Sequence, residues 1–343
     1  MSQTVALYFV ASPLQYLAAR RIAERHEAGT RQVLIWYKRG VTPIVRESEW
    51  SAAAYMPWPR WEPMPGRFGR LKRLRANIHD VAQLVGPCDE IHIHSAVFDT
   101  EAINYFLRGL PRLCGAREIR ARILPDGIIS VRRYPLSLGK RVIQYFRKLR
   151  RLVAPELDYW CFSGDRIGSD APFCDRVYVL PGLPHEYPPE KVVVLPPLID
   201  SVPPGANSTN GERRALVIGQ PLVGAGLMKT GDRNAVDAEI RSWLASEGIT
   251  QIFYKPHPKD PAQEMRQSGY FPLNLNEPLE IWMAHTPLDA VVGVRSSALL
   301  FARQIYGPQT RVRAFGWDRI IFKSDAEKQN MKTAFEACGV ELG

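Results

Sequence analysis

Apolar residues fall in two alternating patterns along the chain. Short continuous runs read as strands buried on both faces. Longer stretches with apolar positions three and four apart read as helices packed on one side. "TVALYFVAS" (Thr4 to Ser12) is the first such strand. "PLQYLAARRIAERHEAG" (Pro13 to Gly29) is a helix with proline in its first turn and glycine at its end. "RQVLIWYK" is the next strand, and a basic helical stretch follows from Arg67 to Leu84. "DEIHIHS" reads as a strand, "DTEAINYFLRGL" as a helix, and "REIRARILPDG" as a strand that ends at a turn. "YWCFSG" and "RVYVLPG" continue the alternation. Strand, helix, strand, repeated, predicts a parallel sheet.

The pattern breaks at "PPLIDSVPPGANSTNGERR" (Pro196 to Arg214), rich in Pro, Gly, Ser and Asn, which reads as a linker. A second α/β series then begins with the strand "ALVIGQ" and the helix "DRNAVDAEIRSWLASEG". "ITQIFYKPHP" is a strand and loop, "EPLEIWMAH" a short helix, "LDAVVGV" a strand, and "SSALLFARQIYG" a helix. "TRVRAFGW" is a last strand. "SDAEKQNMKTAFEACG" is a C-terminal helix with Ser324 at its N-cap. The expected organisation is an N-terminal Rossmann-like domain over 1–195, a linker over 196–213 and a C-terminal Rossmann-like domain over 214–343. By periodicity alone the fold suits a transferase, a two-domain binding protein or an epimerase.

Composition narrows the class. A chain of 343 residues with 45% hydrophobic content builds two cores without staples. Its five cysteines form no C-x-x-C pair and read as reduced thiols of a cytoplasmic protein. The opening residues lack a basic leader, and no apolar stretch is long enough for a membrane span. The net charge is +10. Much of it sits in "RFGRLKRLR" and in "RRYPLSLGKRVIQYFRKLRR" (Arg132 to Arg151), where Val142, Ile143, Tyr145, Phe146 and Leu149 alternate with cations. That mixture suits a helix lying on an anionic bilayer, and equally an ordinary helix with a solvated basic face. No nucleic-acid motif accompanies the charge, so nucleic acid is not an expected partner.

Three segments at the carboxyl ends of expected strands carry candidate chemistry. In "LPDGIIS", Asp126 precedes Gly127 on a turn, placed to act as a general base or to cap its own backbone. In "YKPHP", Pro256 and Pro258 stiffen the loop around His257, with Lys255 adding charge. The ring either meets a phosphate or bonds to backbone. In "VVGVRSSALL", Ser296 and Ser297 open a helix, as an anion site or as a plain cap. Arg295 beside them opposes the helix dipole, a conflict that a bound anion resolves. No D-x-D metal motif lies at a sheet edge, so no metal is expected. His92 and His94 in "EIHIHS" share a strand face without a third ligand and read as structural. The segment "WPRWEPMPGRFG" reads as a mobile lid, an acceptor-side surface or a packed loop.

The order Asp-Gly, then His-Pro, then Ser-Ser resembles the bacterial GT-B sialyltransferases, of lipooligosaccharide and capsular polysialyltransferase type. "SPLQYLAA", with Ser12 and Gln15, and "VIGQPL", with Gly219 and Gln220, are also similar to segments of that family. The resemblance implies a GT-B fold, two Rossmann-like domains with a facing cleft and a C-terminal helix packing back on the N-terminal domain. It implies an inverting, metal-independent enzyme without a cofactor, using CMP-sialic acid as co-substrate and a cell-surface glycan or glycolipid as acceptor. Asp126 becomes the base and His257 the contact to the departing CMP phosphate. Lys255, Pro258, Ser296, Ser297, Glu280, Gly219, Gln220, Gln15 and Ser12 become substrate-binding residues, with Glu280 on the ribose. Pro125 stands where the family usually has a second acid. "KPHP" with a Ser-Ser helix start is also similar to transferases using CMP-Kdo and to CDP-glycerol polymerases. CMP-Kdo or another cytidine-linked donor, or a non-catalytic binding module, is thus the alternative. The implied location is cytoplasmic, peripheral on the inner face of the plasma membrane.

Overall fold

The computed structural model describes residues 3–126, 133, 135–181, 183, 185–196, 198, 212–306 and 308–343. The chain divides into two compact units. The first holds residues 1–180 and 185–198, and the second holds 181–184 and 199–343. Gly127 and most of the expected linker lie outside the described residues.

The first unit is a seven-stranded sheet in the order β3-β2-β1-β4-β5-β6-β7, with every pair parallel. Its strands are β1 (Thr4–Val10), β2 (Arg31–Trp36), β3 (Ala52–Tyr55), β4 (Glu90–Ser95), β5 (Glu118–Ile123), β6 (Cys174–Val179) and β7 (Val192–Val194). In β1, Val5 to Val10 are fully buried, as a central parallel strand requires. The helices are α1 (Pro13–Arg25), α2 (Gly69–Val85), α3 (Glu101–Asn104), α4 (Phe106–Cys114) and α5 (Leu138–Lys148). Leu74, Ile78, Val81 and Val85 of α2 join Phe106 and Leu110 of α4 over the sheet. The periodicity missed β3 and β7. Both are short edge strands: β3 is mostly alanine, and the apolar run of β7 is only three valines between Lys191 and Leu195-Pro196. "YWCFSG" forms no strand. Tyr159 instead turns inward, edge-on to Tyr105 at 5.5 Å.

The second unit is a six-stranded parallel sheet in the order β10-β9-β8-β11-β12-β13. Its strands are β8 (Arg214–Ile218), β9 (Gln251–Lys255), β10 (Phe271–Pro272), β11 (Ala290–Gly293), β12 (Arg311–Ala314) and β13 (Glu341–Leu342). Its helices are α6 (Thr230–Ser246), α7 (Leu279–His285), α8 (Ser297–Ile305) and α9 (Asp325–Ala337). Ser324 caps α9, accepting from the Glu327 N–H at 3.2 Å, as expected. After α9 the chain returns as β13 beside β12, and Phe335 of α9 packs on Trp317 at 5.2 Å. These contacts hold the C-terminal helix inside the second unit. No helix among the described residues is long and apolar enough to cross a membrane.

Candidate functional site

Both sheets reverse direction once. The order turns at β1/β4 in the first and at β8/β11 in the second. The two chains leaving a reversal diverge to opposite faces, which opens a crevice at the carboxyl edge where ligands bind in such sheets. The candidate residues gather beside these two points.

In the first unit, Ser12 follows β1 and caps α1, accepting the Gln15 N–H at 3.3 Å. The Gln15 side chain is buried and bridges two strand ends. Its Oε1 accepts the Ala11 N–H at 2.7 Å, and its Nε2 donates to Asp126 Oδ1 at 2.9 Å. Because one end of the amide is taken by backbone, the other is committed to the carboxylate. Asp126 is reached beyond the end of β5. Tyr37 lies in range: burial first, and the Asp126 charge second, push its phenol above the ordinary value. Tyr37 stacks on Trp58 at 4.5 Å, and Trp58 lies against Trp61 at 5.9 Å. The Trp58 end of the Trp/Pro-rich segment is anchored, while residues 60, 61, 63 and 65–68 are exposed. The Asn77 amide donates to the Pro57 carbonyl at 2.8 Å, and Glu62 pairs with Arg39 at 2.7 Å. Trp61 alone of the two tryptophans faces outward, 61% exposed.

In the second unit, Gly219 and Gln220 follow β8. Gly219 donates its N–H to the Lys255 carbonyl at 2.9 Å. A Cβ at Gly219 would lie 2.4 Å from the Tyr254 hydroxyl and 3.0 Å from the Lys255 carbonyl oxygen. Only glycine allows β8 to run this close to the end of β9. Gln220 Oε1 accepts the Arg295 N–H at 2.8 Å, closing the crevice between the chains leaving β8 and β11.

Half-buried His257 accepts the Lys259 N–H on Nδ1 at 3.1 Å. A backbone N–H can only donate, so in the neutral ring the proton sits on Nε2. Burial, with Lys259 second, lowers its pKa, and Asp260 opposes this. The loop is strapped down by two acids that sequence reasoning did not single out. Buried Asp260 donates its N–H to the His257 carbonyl at 2.9 Å and accepts the Glu264 N–H on its carboxylate at 2.9 Å. Glu264 in turn accepts the N–H groups of Val223 and Gly224 at 2.7 and 2.8 Å. Neither lies in a regular helix or strand, so no periodic signal marked them. Pro258 is exposed beside the ring. Burial lowers the Lys255 pKa and raises that of Glu280, and each one's charge opposes the other's shift.

Ser296 is the cap of α8, its hydroxyl accepting the Ala298 N–H at 3.3 Å, and Ser297 is the first helical residue. Arg295 does not need an anion to resolve its conflict with the dipole. Its guanidinium pairs with Glu327 of α9 at 3.3 Å and lies 5.3 Å over the Phe322 ring. The candidate donor-side residues Gly219, Gln220, Lys255 and Ser296 thus meet at one sheet edge.

Elsewhere, His92 is tied to Glu27 at 2.8 Å and Glu90 at 3.0 Å, as a structural pair requires. Fully buried His94 stacks on Tyr8 at 4.3 Å. His185 stacks on Tyr187 at 6.4 Å. Among the described residues no three His, Cys, Asp or Glu side chains come together as a metal site.

Residues 197–312 match the family model described as alpha-2,8-polysialyltransferase (POLYST), about a third of the chain. No curated protein matches the chain. Among solved structures, the chain is similar to the glycosyltransferase SnogD from Streptomyces nogalater, at TM-score 0.50 and 11% identity, covering 100% of this chain and 87% of that one. It is similar to the glycotransferase of kitacinnamycin at TM-score 0.50 and 10% identity, covering 100% and 86%. The S. aureus MnaA–UDP co-structure also matches, at TM-score 0.50 and 11% identity, covering 98% and 87%. At these identities the likeness is one of fold, and the fold is GT-B: two Rossmann-like units, each a parallel sheet with helices.

Proposed function

We propose that the protein, a glycosyltransferase of GT-B fold, moves sialic acid from CMP-sialic acid to a hydroxyl of a bacterial cell-surface glycan. The reading is of an inverting reaction without a metal ion. The observation that carries it is where the family match falls. Residues 197–312 take in the whole candidate donor side, from Gly219 through His257 and Glu280 to Ser297.

In this reading, CMP lies at the carboxyl edge of the second sheet, with Gly219 and Gln220 under the nucleotide and Glu280 on the ribose hydroxyls. Asp126, held by the Gln15 amide, takes the proton of the acceptor hydroxyl. The hydroxyl oxygen bonds to the anomeric carbon from the face opposite CMP, so the configuration inverts. As the bond to the phosphate oxygen breaks, charge grows on the phosphate. The His257 Nε2–H, Lys255 and the Ser296–Ser297 helix start stabilise that charge where a metal serves in other transferases. The place of reaction is the cytoplasm, at the inner face of the plasma membrane.

A second reading keeps the phosphate side and changes the sugar, because "KPHP" with a Ser-Ser helix start is also similar to transferases that use CMP-Kdo. A third is a binding module without catalysis. A donor screen separates them. Purified protein is incubated with CMP-sialic acid, CMP-Kdo, UDP-sugars and GDP-sugars, with and without EDTA, and release of nucleotide is followed. CMP release from CMP-sialic acid that persists in EDTA is the expected result. Release from CMP-Kdo alone selects the second reading. CMP binding without turnover of any donor, in the presence of glycan acceptors, selects the third. Turnover of UDP- or GDP-sugars alone overturns the cytidine assignment.

A further inference from the structure

Helix α5 is built inside out. The single buried residue of α5 is Gln144, a polar one. Polar groups bolt its inner side down. The Gln144 amide donates to Asp99 at 3.4 Å, Arg147 donates to the Tyr159 hydroxyl at 3.1 Å, and Arg141 donates to the Ser163 carbonyl at 2.8 Å. The Tyr105 hydroxyl donates to the Arg147 carbonyl at 3.3 Å. The apolar side chains point the other way. Leu138, Val142, Ile143, Tyr145, Phe146, Leu149, Leu152 and Val153 are 49–80% exposed. They are eight of the fourteen large hydrophobic side chains exposed among the described residues, gathered into sixteen positions. A patch of that density is a binding surface rather than ordinary scatter.

The patch is continuous with a second feature. Phe68, 74% exposed, precedes α2 with φ +60, a conformation that costs energy for a bulky residue. Phe68, Leu71, Leu74 and Val153, rimmed by Arg70 and Arg150, line a groove of about 560 Å³. Arg70 and Arg150 both pair with buried Glu101, which fixes the rim.

Charge identifies the occupant. From Ser137 to Val153 the chain holds no acid; Arg141, Arg147 and Arg150 are tied to Ser163, Tyr159 and Glu101, and Lys140, Lys148 and Arg151, the last 3.9 Å from Asp158, remain to form a cationic rim. A second copy would set this cationic rim against itself. Nucleic acid would neutralise the cations and leave the apolar centre uncovered. An anionic bilayer satisfies both, with hydrocarbon for the centre and phosphate for the rim.

We propose that the face formed by α5, residues 149–153 and Phe68 docks the protein on an anionic phospholipid bilayer, Phe146, Leu149, Leu152 and Val153 entering the acyl region. The surface deepens the location given above, and its test contains no sugar donor, so its failure leaves the transfer reading untouched.

Intact protein is sedimented with vesicles of phosphatidylcholine, alone or with phosphatidylglycerol, at low and high salt. Partition should be at least tenfold stronger with the anionic lipid and should fall as salt rises. Phe146→Ser with Leu152→Ser should lower partition about tenfold or more without moving the melting temperature, because both side chains lie outside the core. Lys140→Glu with Arg151→Glu should lower it on anionic vesicles only, by roughly fivefold for each cation. Three results overturn the proposal: no vesicle binding at any composition, binding indifferent to anionic lipid and to the serine substitutions, or a dimer in solution that Phe146→Ser with Leu152→Ser dissociates.

Discussion

At the scale of single residues, the candidate site asks two side chains for different work. Asp126 is held by Gln15 on the first unit, whereas His257 and the other donor-side residues belong to the second. Asp126→Asn should cut transfer about 10²–10⁴-fold, the usual cost of losing a positioned base. The CMP dissociation constant should stay within about twofold. Near-normal transfer by this variant, on folded protein, removes the base from the mechanism. His257 should behave otherwise. Its pKa is lowered in the free protein, chiefly by burial. A phosphate against Nε2 favours the charged ring, so binding takes up a proton between the free and bound pKa values. CMP affinity should therefore rise as pH falls towards the free-state pKa, beyond the change seen with His257→Gln. Calorimetry in two buffers of different ionisation enthalpy reads the proton directly, and equal uptake by wild type and variant discards the role. The placement of His257 in a stiff loop and of Ser296 at a helix start was legible because proline and capping chemistry is local. The Arg295–Glu327 pair was not, since thirty-two residues separate partners that only tertiary folding joins.

At the scale of elements, the central strands were legible because burial on both faces writes continuous apolar runs. The edge strands β3, β7, β10 and β13 are two to four residues long, so even the three valines of β7 make too short a run to stand out. The "EIHIHS" strand shows what a central strand conceals. His94 is fully buried, and burial pushes its imidazole down to about 3, with His92 adding to the effect. The ordinary value is about 6.5. A depressed pKa means that the neutral ring fits the fold. The stability it contributes is whole above about pH 6.5 and is lost as pH falls from there towards 3. Unfolding free energy should drop by a few kcal/mol between pH 7 and pH 4. His94→Phe keeps the stack on Tyr8 and removes the titration, so its profile over that interval should be flatter. An equally steep profile assigns the acid sensitivity to groups other than His94.

At the scale of the whole molecule, a net charge of +10 draws on two separate groups of cations. Lys255, with His257 beside it, stands at the second sheet's edge, where a donor phosphate is proposed to lie. Lys140, Lys148 and Arg151 flank an apolar face on the first unit, the same unit that carries Asp126. If that face rests on a bilayer, the candidate base works within a few nanometres of lipid, and the acceptors that reach it best are themselves anchored there. Confinement to one surface replaces a bulk encounter with a local concentration in the millimolar range. Transfer to a glycan on a lipid anchor in anionic vesicles should then exceed transfer to the same glycan free in solution by about tenfold or more. The advantage should shrink as salt rises, through screening of the rim cations. Phe146→Ser with Leu152→Ser should abolish it while leaving the rate on the free glycan unchanged, because those side chains touch none of the candidate site residues. An anchored acceptor used no better than a free one, or an advantage that survives the serine substitutions, would separate the apolar face from acceptor delivery.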